Sequence, residues 1–239
     1  IKSSAASDVY KRQEEELGIT FTVSSEDGCL KIAASGENGH ASTPWKGKNA
    51  LTGLLALIER LPLAECGQLK AVRALNHLMP HGDWFGAGLG IQMSDEESGE
   101  LTLAFSMLDI SEKSLEGEFD SRCPICATKE NTIDVIRKNM EAEGISFNTE
   151  ELEPPHHVPA DSDFVKTLLS AYESYSGRKG ECIAIGGGTY VHHLKNGVAF
   201  GACLPETENH MHGPDEFAVV DELLMSAKIF AQVIVDLCS

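Results

Sequence analysis

Two histidines near the C-terminus lie two residues apart in an acidic loop that contains glycine and proline. His210 and His212 stand in the run ETENHMHGPDE. A neutral imidazole binds zinc well, and a nearby carboxylate can orient its second ring nitrogen. The loop is therefore a candidate metal site. The alternative is a solvated polar loop, and the spacing alone does not decide between a metal site and such a loop. It also does not decide which of the two histidines would bind the metal.

A glycine triplet, Gly186-Gly187-Gly188, follows a short apolar segment. Glycine lets backbone N–H groups approach a ligand closely, so the triplet could line a binding site. A tight turn between a strand and a helix would explain the same three residues equally well.

His40 and Arg122 are the other candidates for chemistry. His40 lies in a loop between a predicted strand and a predicted helix, where a histidine could polarise a carbonyl group; a surface histidine is the alternative. Asp120 and Arg122 share one face of a predicted strand, because strand side chains repeat every two residues. Arg122 could bind a carboxylate bidentately, and the alternative is a cross-strand ion pair of little energetic value.

The cysteines favour a reducing compartment. There are seven, an odd number without the spacing of a disulfide framework, which suggests a cytoplasmic protein. Cys123 and Cys126 form a C-x-x-C motif, which can be a redox pair or half of a zinc site. No second C-x-x-C is present, so both are expected to be buried packing residues.

The candidates before residue 153 must be positioned by a mixture of strands and helices. Alternating and helical hydrophobic patterns predict four strands and two helices, an α+β layer. The strands cover about residues 19–23, 30–34, 101–107 and 115–122, and the helices about 51–61 and 133–140. The turn Glu26-Asp27-Gly28 joins the first two strands.

Glu153-Pro154-Pro155 marks a boundary, after which the pattern changes to that of an α/β sheet. A helix capped by Asp161 or Ser162 is predicted over about 164–172, and another over 223–237. Short apolar strands are predicted at 182–185 and 198–200. These strands are too few to complete a sheet.

Composition excludes several classes of protein. Of 239 residues, 42% are hydrophobic, which is enough for a packed core. The net charge of −18, from 37 acidic and 19 basic residues, argues against a nucleic-acid partner. No apolar run approaches the ~20 residues of a membrane helix, so no membrane partner is expected.

The opening segment, residues 1–13, is predicted to be a non-native tail. Ser3 to Gln13 resembles the in-frame translation of a common transposon sequencing adapter. A genuine disordered N-terminus is the alternative. The adapter interpretation predicts that the true beginning of the protein lies upstream.

In this order, the motifs resemble the di-zinc exopeptidase family of carnosinase-type and Xaa-His dipeptidases, to which acetylornithine deacetylase and succinyl-diaminopimelate desuccinylase are related. The resemblance covers Glu16 to Leu237 and is most specific over residues 185–217. That segment is similar to the family's glycine-rich turn, its Gly-Val-Ala-Phe-Gly strand, and its ligand histidine followed four residues later by glutamate.

The resemblance implies a mixed α/β and α+β fold, with an α+β lid domain at 14–153. Residues 154–239 would be the C-terminal part of the metal-binding catalytic domain. It implies that His212 binds one of two zinc ions and that His40 holds the substrate carbonyl oxygen as it becomes an oxyanion. Arg122 would bind the C-terminal carboxylate of a dipeptide, and Gly187 and Gly188 would line the substrate site.

The chain also departs from the family pattern. Cys123 replaces an aromatic residue, His192 stands where arginine is usual, and Glu206 stands where glycine is common. The family's upstream His-x-Asp, its bridging aspartate, its Glu-Glu pair and a further aspartate are missing. The Glu-Glu pair supplies the general base, so the chain alone is expected to be inactive.

The resemblance thus implies a C-terminal fragment of a zinc-dependent dipeptidase. An N-acyl amino acid deacylase on the same scaffold is the first alternative, because Arg122 would still hold a carboxylate. A non-enzymatic metal-binding module built on the two loop histidines is the second. The oligomeric state is left open.

Overall fold

The computed structural model describes the backbone of residues 4–201, 203–210 and 214–239, and the side chains from residue 11 onward within these ranges. The chain contains helices and small antiparallel sheets, which confirms the mixed α/β and α+β class. The helices are α1 (Ser4–Leu17), α2 (Ala50–Arg60), α3 (Gly67–Leu78), α4 (Ile133–Ala142), α5 (Asp163–Ser176) and α6 (Val220–Cys238). The strands are β1 (Thr20–Glu26), β2 (Cys29–Ser35), β3 (Ser94–Asp95), β4 (Gly99–Glu100), β5 (Thr102–Ile110) and β6 (Leu115–Arg122).

The chain divides into two compact units. The larger unit comprises residues 1–155 and 185–187, and the smaller unit comprises residues 156–184 and 188–239. Their identity as a lid domain and a part of a metal-binding domain stays a prediction. None of the helices in the part of the chain that the structure describes has both the length and the apolar character needed to cross a membrane.

The strands of the described residues pair as three antiparallel two-stranded sheets, β1 with β2, β3 with β4 and β5 with β6. The first hairpin confirms the predicted turn, because Asp27 and Gly28 both have positive φ, 50° and 80°. Such a conformation at both central residues fits the right-handed twist of the strands. In the third sheet, Thr102 pairs with Arg122 and Ile110 with Leu115, with a bulge between Phe105 and Met107.

A hydrophobic core joins three helices of the larger unit to β5. Its buried residues come mainly from α2, α3, α4, β5 and the segment before β5: Leu55, Val72, Leu75, Leu78, Met79, Leu89, Ile91, Leu101, Leu103, Phe105, Ile136 and Met140. The Asn49 side chain accepts the Thr52 N–H as the cap of α2 and also donates to the carbonyl oxygen of Phe105 (2.7 Å). One cap residue therefore both starts α2 and ties it to β5.

Helix α1 covers part of the segment, residues 1–13, that is predicted to be a non-native tail. Its C-terminal end is attached to the larger unit, because Glu14 Oε1 accepts the N–H of Phe21 (2.7 Å) and Glu16 forms an ion pair with Arg60 (3.0 Å). The Arg60 and Arg12 guanidiniums hold the pKa of the Glu16 carboxyl below its ordinary value. The origin of residues 1–13 stays a prediction.

Helices α5 and α6 pack together in the smaller unit around Leu168, Ala171, Ile229 and Val233. Ser162 caps α5 by accepting the N–H of Val165, and Gly177 ends it with a φ of 68°. The strands predicted at 182–185 and 198–200 are wrong, since both segments are irregular. A strand needs a neighbour for its N–H and C=O groups, and among the described residues neither segment has one.

Candidate functional site

The loop that carries His40, residues 36–48, is closed at its base by a backbone bridge. The N–H of Glu37 donates to the carbonyl oxygen of Lys48 (3.1 Å), and the N–H of Lys48 donates back to Glu37 (2.8 Å). The two side chains also form an exposed ion pair. This arrangement fixes the loop between β2 and α2, the placement predicted from the sequence.

Glycines allow the two arms of the loop to touch. A Cβ atom on Gly36 would lie 2.0 Å from the carbonyl oxygen of Lys48, and one on Gly47 would lie 2.8 Å from the Cα of Gly39. Real Cβ atoms do not approach backbone this closely, so a side chain at either position would force the arms apart. The glycines of this loop are therefore a packing requirement that keeps it narrow.

His40 is exposed at the tip of this loop and contacts Ser42. The N–H of Thr43 donates to the carbonyl oxygen of His40 (2.8 Å), which closes a turn. Within the turn, His40 Nδ1 accepts the N–H of Ser42 (3.2 Å) and lies 2.7 Å from Ser42 Oγ. Thr102 Oγ1 donates to the carbonyl oxygen of Ala41 (2.9 Å), which attaches the tip to the start of β5.

Arg122 ends β6 directly opposite Thr102. Its Nη2 donates to Asp120 Oδ2 at 2.7 Å, so the ion pair runs along one strand rather than across two. About 35% of the Arg122 side chain is exposed. Its Nε is buried and has no hydrogen-bond partner among the residues described. Asp120 therefore engages one nitrogen of a guanidinium that carries five N–H donors.

Gly186 brings the glycine triplet to the same place. A Cβ atom on Gly186 would lie 2.6 Å from Ser42 Cβ and 3.6 Å from Arg122 Cβ. This glycine thus packs against both the His40 loop and Arg122, a contact that sequence reasoning missed. A Cβ on Gly187 or Gly188 would meet no described atom within 4 Å, and their role toward substrate stays a prediction.

His212, the predicted metal ligand, lies outside the described residues together with its two neighbours. His210 has a positive φ of 57°, and its ring centroid lies 5.9 Å from that of Phe217. Within the described ranges, no group of three or more His, Cys, Asp or Glu side chains could hold a metal ion. The described residues therefore do not by themselves fit a metal centre.

The C-x-x-C motif directly follows Arg122. Cys123 is half-buried and lies 3.6 Å from Ser121 Oγ, and burial raises the pKa of its thiol. Cys126 is exposed, so the prediction that both cysteines are buried is wrong. Cys126 donates its N–H to Asp95 Oδ2 (3.3 Å), which holds this turn to β3 and leaves the thiol at the surface. All seven cysteines lie within the described ranges and are free thiols.

The chain belongs to the peptidase family M20/M25/M40, which it matches over residues 9–236. It is 36% identical over 213 residues to the "Putative dipeptidase YtjP" of Bacillus subtilis (strain 168), covering 89% of this chain and 45% of that protein. It is 32% identical over 226 residues to the Beta-Ala-Xaa dipeptidase of Lactobacillus delbrueckii subsp. lactis, covering 94% and 47%. The chain thus spans about half the length of the curated relatives it matches. The match confirms the resemblance drawn from the motifs.

Proposed function

We propose that this chain is the C-terminal part of a zinc-dependent dipeptidase and that it supplies groups that handle the substrate. Membership of a peptidase family and two relatives that carry dipeptidase names support a hydrolase acting on dipeptides. Those names favour a dipeptide over the N-acyl amino acid of the deacylase alternative. The observation that carries the proposal is the packing of Gly186 against both Ser42 and Arg122, because it brings the His40 loop and the arginine together.

His40 would stabilise the developing negative charge on the scissile carbonyl oxygen. It is exposed at the tip of a loop that is held at its base by Glu37 and Lys48 and at its tip by Thr102. A donor held in place before the reaction stabilises an oxyanion most effectively, because no reorganisation is needed when charge develops. The narrow, glycine-dependent loop provides such a support.

Arg122 would bind the C-terminal carboxylate of the dipeptide. Guanidinium and carboxylate groups match as bidentate partners, and Asp120 occupies only one nitrogen of Arg122. Asp120 would also keep the guanidinium oriented when substrate is absent. Gly187 and Gly188 would contact the substrate, since the absence of side chains leaves their backbone N–H groups accessible.

Two zinc ions are the proposed cofactors of the complete site, and they would activate water and polarise the scissile carbonyl. His212 is the proposed ligand from this chain, because it stands four residues before Glu216 as in the family pattern. The sequence lacks the family's His-x-Asp and the Glu-Glu pair that supplies the general base, so the chain alone is expected to be inactive. The seven free thiols support a cytoplasmic location for the enzyme.

The proposal can be tested by joining the N-terminal half of the Bacillus subtilis relative to this chain. We expect the joined protein, but not the chain alone, to hydrolyse dipeptides in a zinc-dependent manner. Arg122→Ala should raise KM for a dipeptide and abolish the preference for a dipeptide over its C-terminal amide. Arg73→Ala is the matched control, because Arg73 forms an exposed ion pair with Glu65. Zinc-dependent turnover by the chain alone, or an unchanged preference in Arg122→Ala, would contradict the proposal.

The zinc ligand needs a separate test in the joined protein. His212→Ala should lose bound zinc and reduce turnover by orders of magnitude. His210→Ala should have a smaller effect, of the ~10–100-fold typical for a residue that only orients a ligand. Bound zinc, measured by elemental analysis, and turnover should fall together. Two bound zinc ions and near-normal turnover in His212→Ala would show that the assignment is wrong.

A further inference from the structure

Two hydrogen-bonding groups of Ser42, its backbone N–H and its hydroxyl, meet the same ring nitrogen of His40. The backbone N–H of Ser42 donates to Nδ1 at 3.2 Å, and Ser42 Oγ lies 2.7 Å from the same atom. A backbone N–H can only donate, so Nδ1 must offer its lone pair. A neutral imidazole carries one proton, and the hydrogen bond made by one nitrogen determines where that proton is. The contact with Ser42 therefore places it on Nε2.

The backbone of Ser42 is held in this orientation from three sides. The turn is closed by the hydrogen bond from Thr43 N–H to the carbonyl oxygen of His40 (2.8 Å). The peptide before Ser42 is fixed because Thr102 Oγ1 donates to the carbonyl oxygen of Ala41 (2.9 Å). Ser42 Cβ also packs against Gly186, where a Cβ atom would approach to 2.6 Å. Local chain geometry, the hydrogen bond from Thr102 on β5 and packing against Gly186 thus all keep the N–H directed at Nδ1.

We infer that Ser42 is a positioning residue that fixes the neutral ring of His40 as the Nε2–H tautomer. The inference rests on the proposed role of His40 as a donor to the substrate carbonyl. With the proton on Nε2, the ring nitrogen away from Ser42 is a donor. With the proton on Nδ1, that nitrogen would present a lone pair and repel a carbonyl oxygen. Ser42 therefore decides whether His40 can polarise the substrate.

Two other histidines of the larger unit provide internal references. His81 Nε2 lies 2.9 Å from the carbonyl oxygen of Leu17, an acceptor, so its proton is on Nε2. His77 Nδ1 lies 2.6 Å from Glu143 Oε1, also an acceptor, so its proton is on Nδ1. One protein thus contains a reference for each tautomer.

The test is long-range ¹H–¹⁵N NMR of the full chain labelled in its histidine rings, at a pH about two units above the ordinary imidazole pKa of ~6.5. The signals of His40 are those lost in His40→Gln. We expect the wild-type pattern of His40 to match that of His81 and to differ from that of His77. In Ser42→Ala, which removes Oγ but keeps the backbone N–H, the His40 nitrogens should shift part of the way toward the average of the two references, because one of the two donors to Nδ1 remains. Thr102→Val, which releases the Ala41 carbonyl, should shift them in the same direction.

Ser106→Ala is the matched control, because the Ser106 hydroxyl on β5 donates to the carbonyl oxygen of Glu118 on β6 (3.2 Å), and its loss should leave His40 unchanged. A merely structural role would disturb the amide signals of β5 and β6 without moving the tautomer. An Nδ1–H pattern for wild-type His40, or an unchanged pattern in both Ser42→Ala and Thr102→Val, would overturn the inference. The wild-type reading suffices even where a variant does not fold.

The measurement needs neither substrate nor metal, so its outcome is separate from that of the proposed function. A joined enzyme that fails to hydrolyse dipeptides would refute the function while the tautomer remained as inferred. An active enzyme whose His40 carries its proton on Nδ1 would refute the role of Ser42 while the function stood.

Discussion

The larger and the smaller unit contain similar kinds of helices but bury very different amounts of apolar surface. Twelve of the described residues form the main core of the larger unit, whereas four form that of the smaller unit. Helix α6 has large hydrophobic side chains exposed along its length, namely Val220, Leu223, Leu224, Phe230, Ile234, Val235 and Leu237. Exposed apolar surface of this kind favours association or aggregation.

The difference shows that an amphipathic helix does not by itself give a complete core, because its apolar face also needs a surface to pack against. In the larger unit, β5 and its hairpin partner give α2, α3 and α4 a surface to cover. In the smaller unit, α5 covers one stripe of α6 and Phe200 packs against Phe230, with 5.4 Å between the ring centroids. The α6 side chains that are more than half exposed are Val220, Leu224, Ile234 and Val235. This fits the proposed function, in which α6 belongs to a metal-binding domain that is larger than the smaller unit.

Hydrogen exchange should show the largest contrast between the two units. We expect the amides of β5 and β6 to exchange orders of magnitude more slowly than those of α5 and α6, because local opening is easiest where few apolar contacts are buried. Limited proteolysis should likewise cut the smaller unit first and leave residues 14–153 intact. Mass spectrometry of exchange and of the digest measures both. Equal protection of the two units from exchange and from proteolysis would contradict the expected difference in stability.

Truncating one leucine in each unit should produce the next largest difference. Leu75 is 2% exposed, so Leu75→Ala should lower the free energy of unfolding by about 2–5 kcal/mol through lost burial and a cavity. Leu223 is 45% exposed, so Leu223→Ala should change it by no more than about 0.5 kcal/mol and should reduce aggregation. Urea unfolding and light scattering provide the readouts. A large destabilisation by Leu223→Ala would mean that α6 is better covered than the structure shows.

Adding a methyl group to a glycine of the His40 loop should lower the stability of the protein more than adding one to Gly67. Gly36→Ala would place Cβ 2.0 Å from the Lys48 carbonyl oxygen, which should cost about 1–3 kcal/mol and speed exchange of the Lys48 amide. Gly67→Ala is the control, because no described atom lies within 4 Å of its Cβ at the start of α3. Thermal unfolding of the two variants compares them. Equal melting temperatures would show that the loop arms separate without cost.

The smallest effect concerns the turn that joins β3 to β4. The backbone and hydroxyl hydrogen bonds of Ser98, together with the N–H groups of Glu97 and Cys126, lower the pKa of Asp95 from 3.8 to about 2. A carboxyl with a depressed pKa contributes stability above its unfolded pKa and loses it as pH falls through the folded value. The Ser98 amide signal should therefore titrate near pH 2, and Ser98→Ala should raise that midpoint. A wild-type midpoint near 3.8 would contradict these contacts.

Local patterns in the sequence predicted most of the larger unit. Alternation and the Asp27-Gly28 turn located β1, β2, β5 and β6, because a hairpin needs only neighbouring residues to form. Helix α3 was missed, since the Cys66 side chain makes no capping hydrogen bond and gives no signal of a helix start. The strands at 182–185 and 198–200 were predicted wrongly for the opposite reason to the success with the hairpins. A strand depends on distant partners that a local pattern cannot reveal.

The candidate site likewise contains residues that the sequence could predict and contacts that it could not. His40 and Arg122 could be singled out by residue type and position, and Ser42 had a signal in its spacing of two residues from His40. The contact of Gly186 with Ser42 and Arg122 joins distant parts of the chain, so it required the fold. The metal-ligand assignment of His212 stays a prediction.

The most direct test of the account is the turnover of the joined enzyme with His40 replaced. His40→Ala should lower kcat for a dipeptide by about 10²–10³-fold, the loss expected when one donor to an oxyanion is removed, with bound zinc unchanged. His77→Ala is the matched control, because His77 is an exposed histidine that pairs with Glu143, and its kcat should equal that of the wild type. A kcat within about twofold of wild type in His40→Ala would contradict the claim that this chain contributes the group that stabilises the reacting carbonyl.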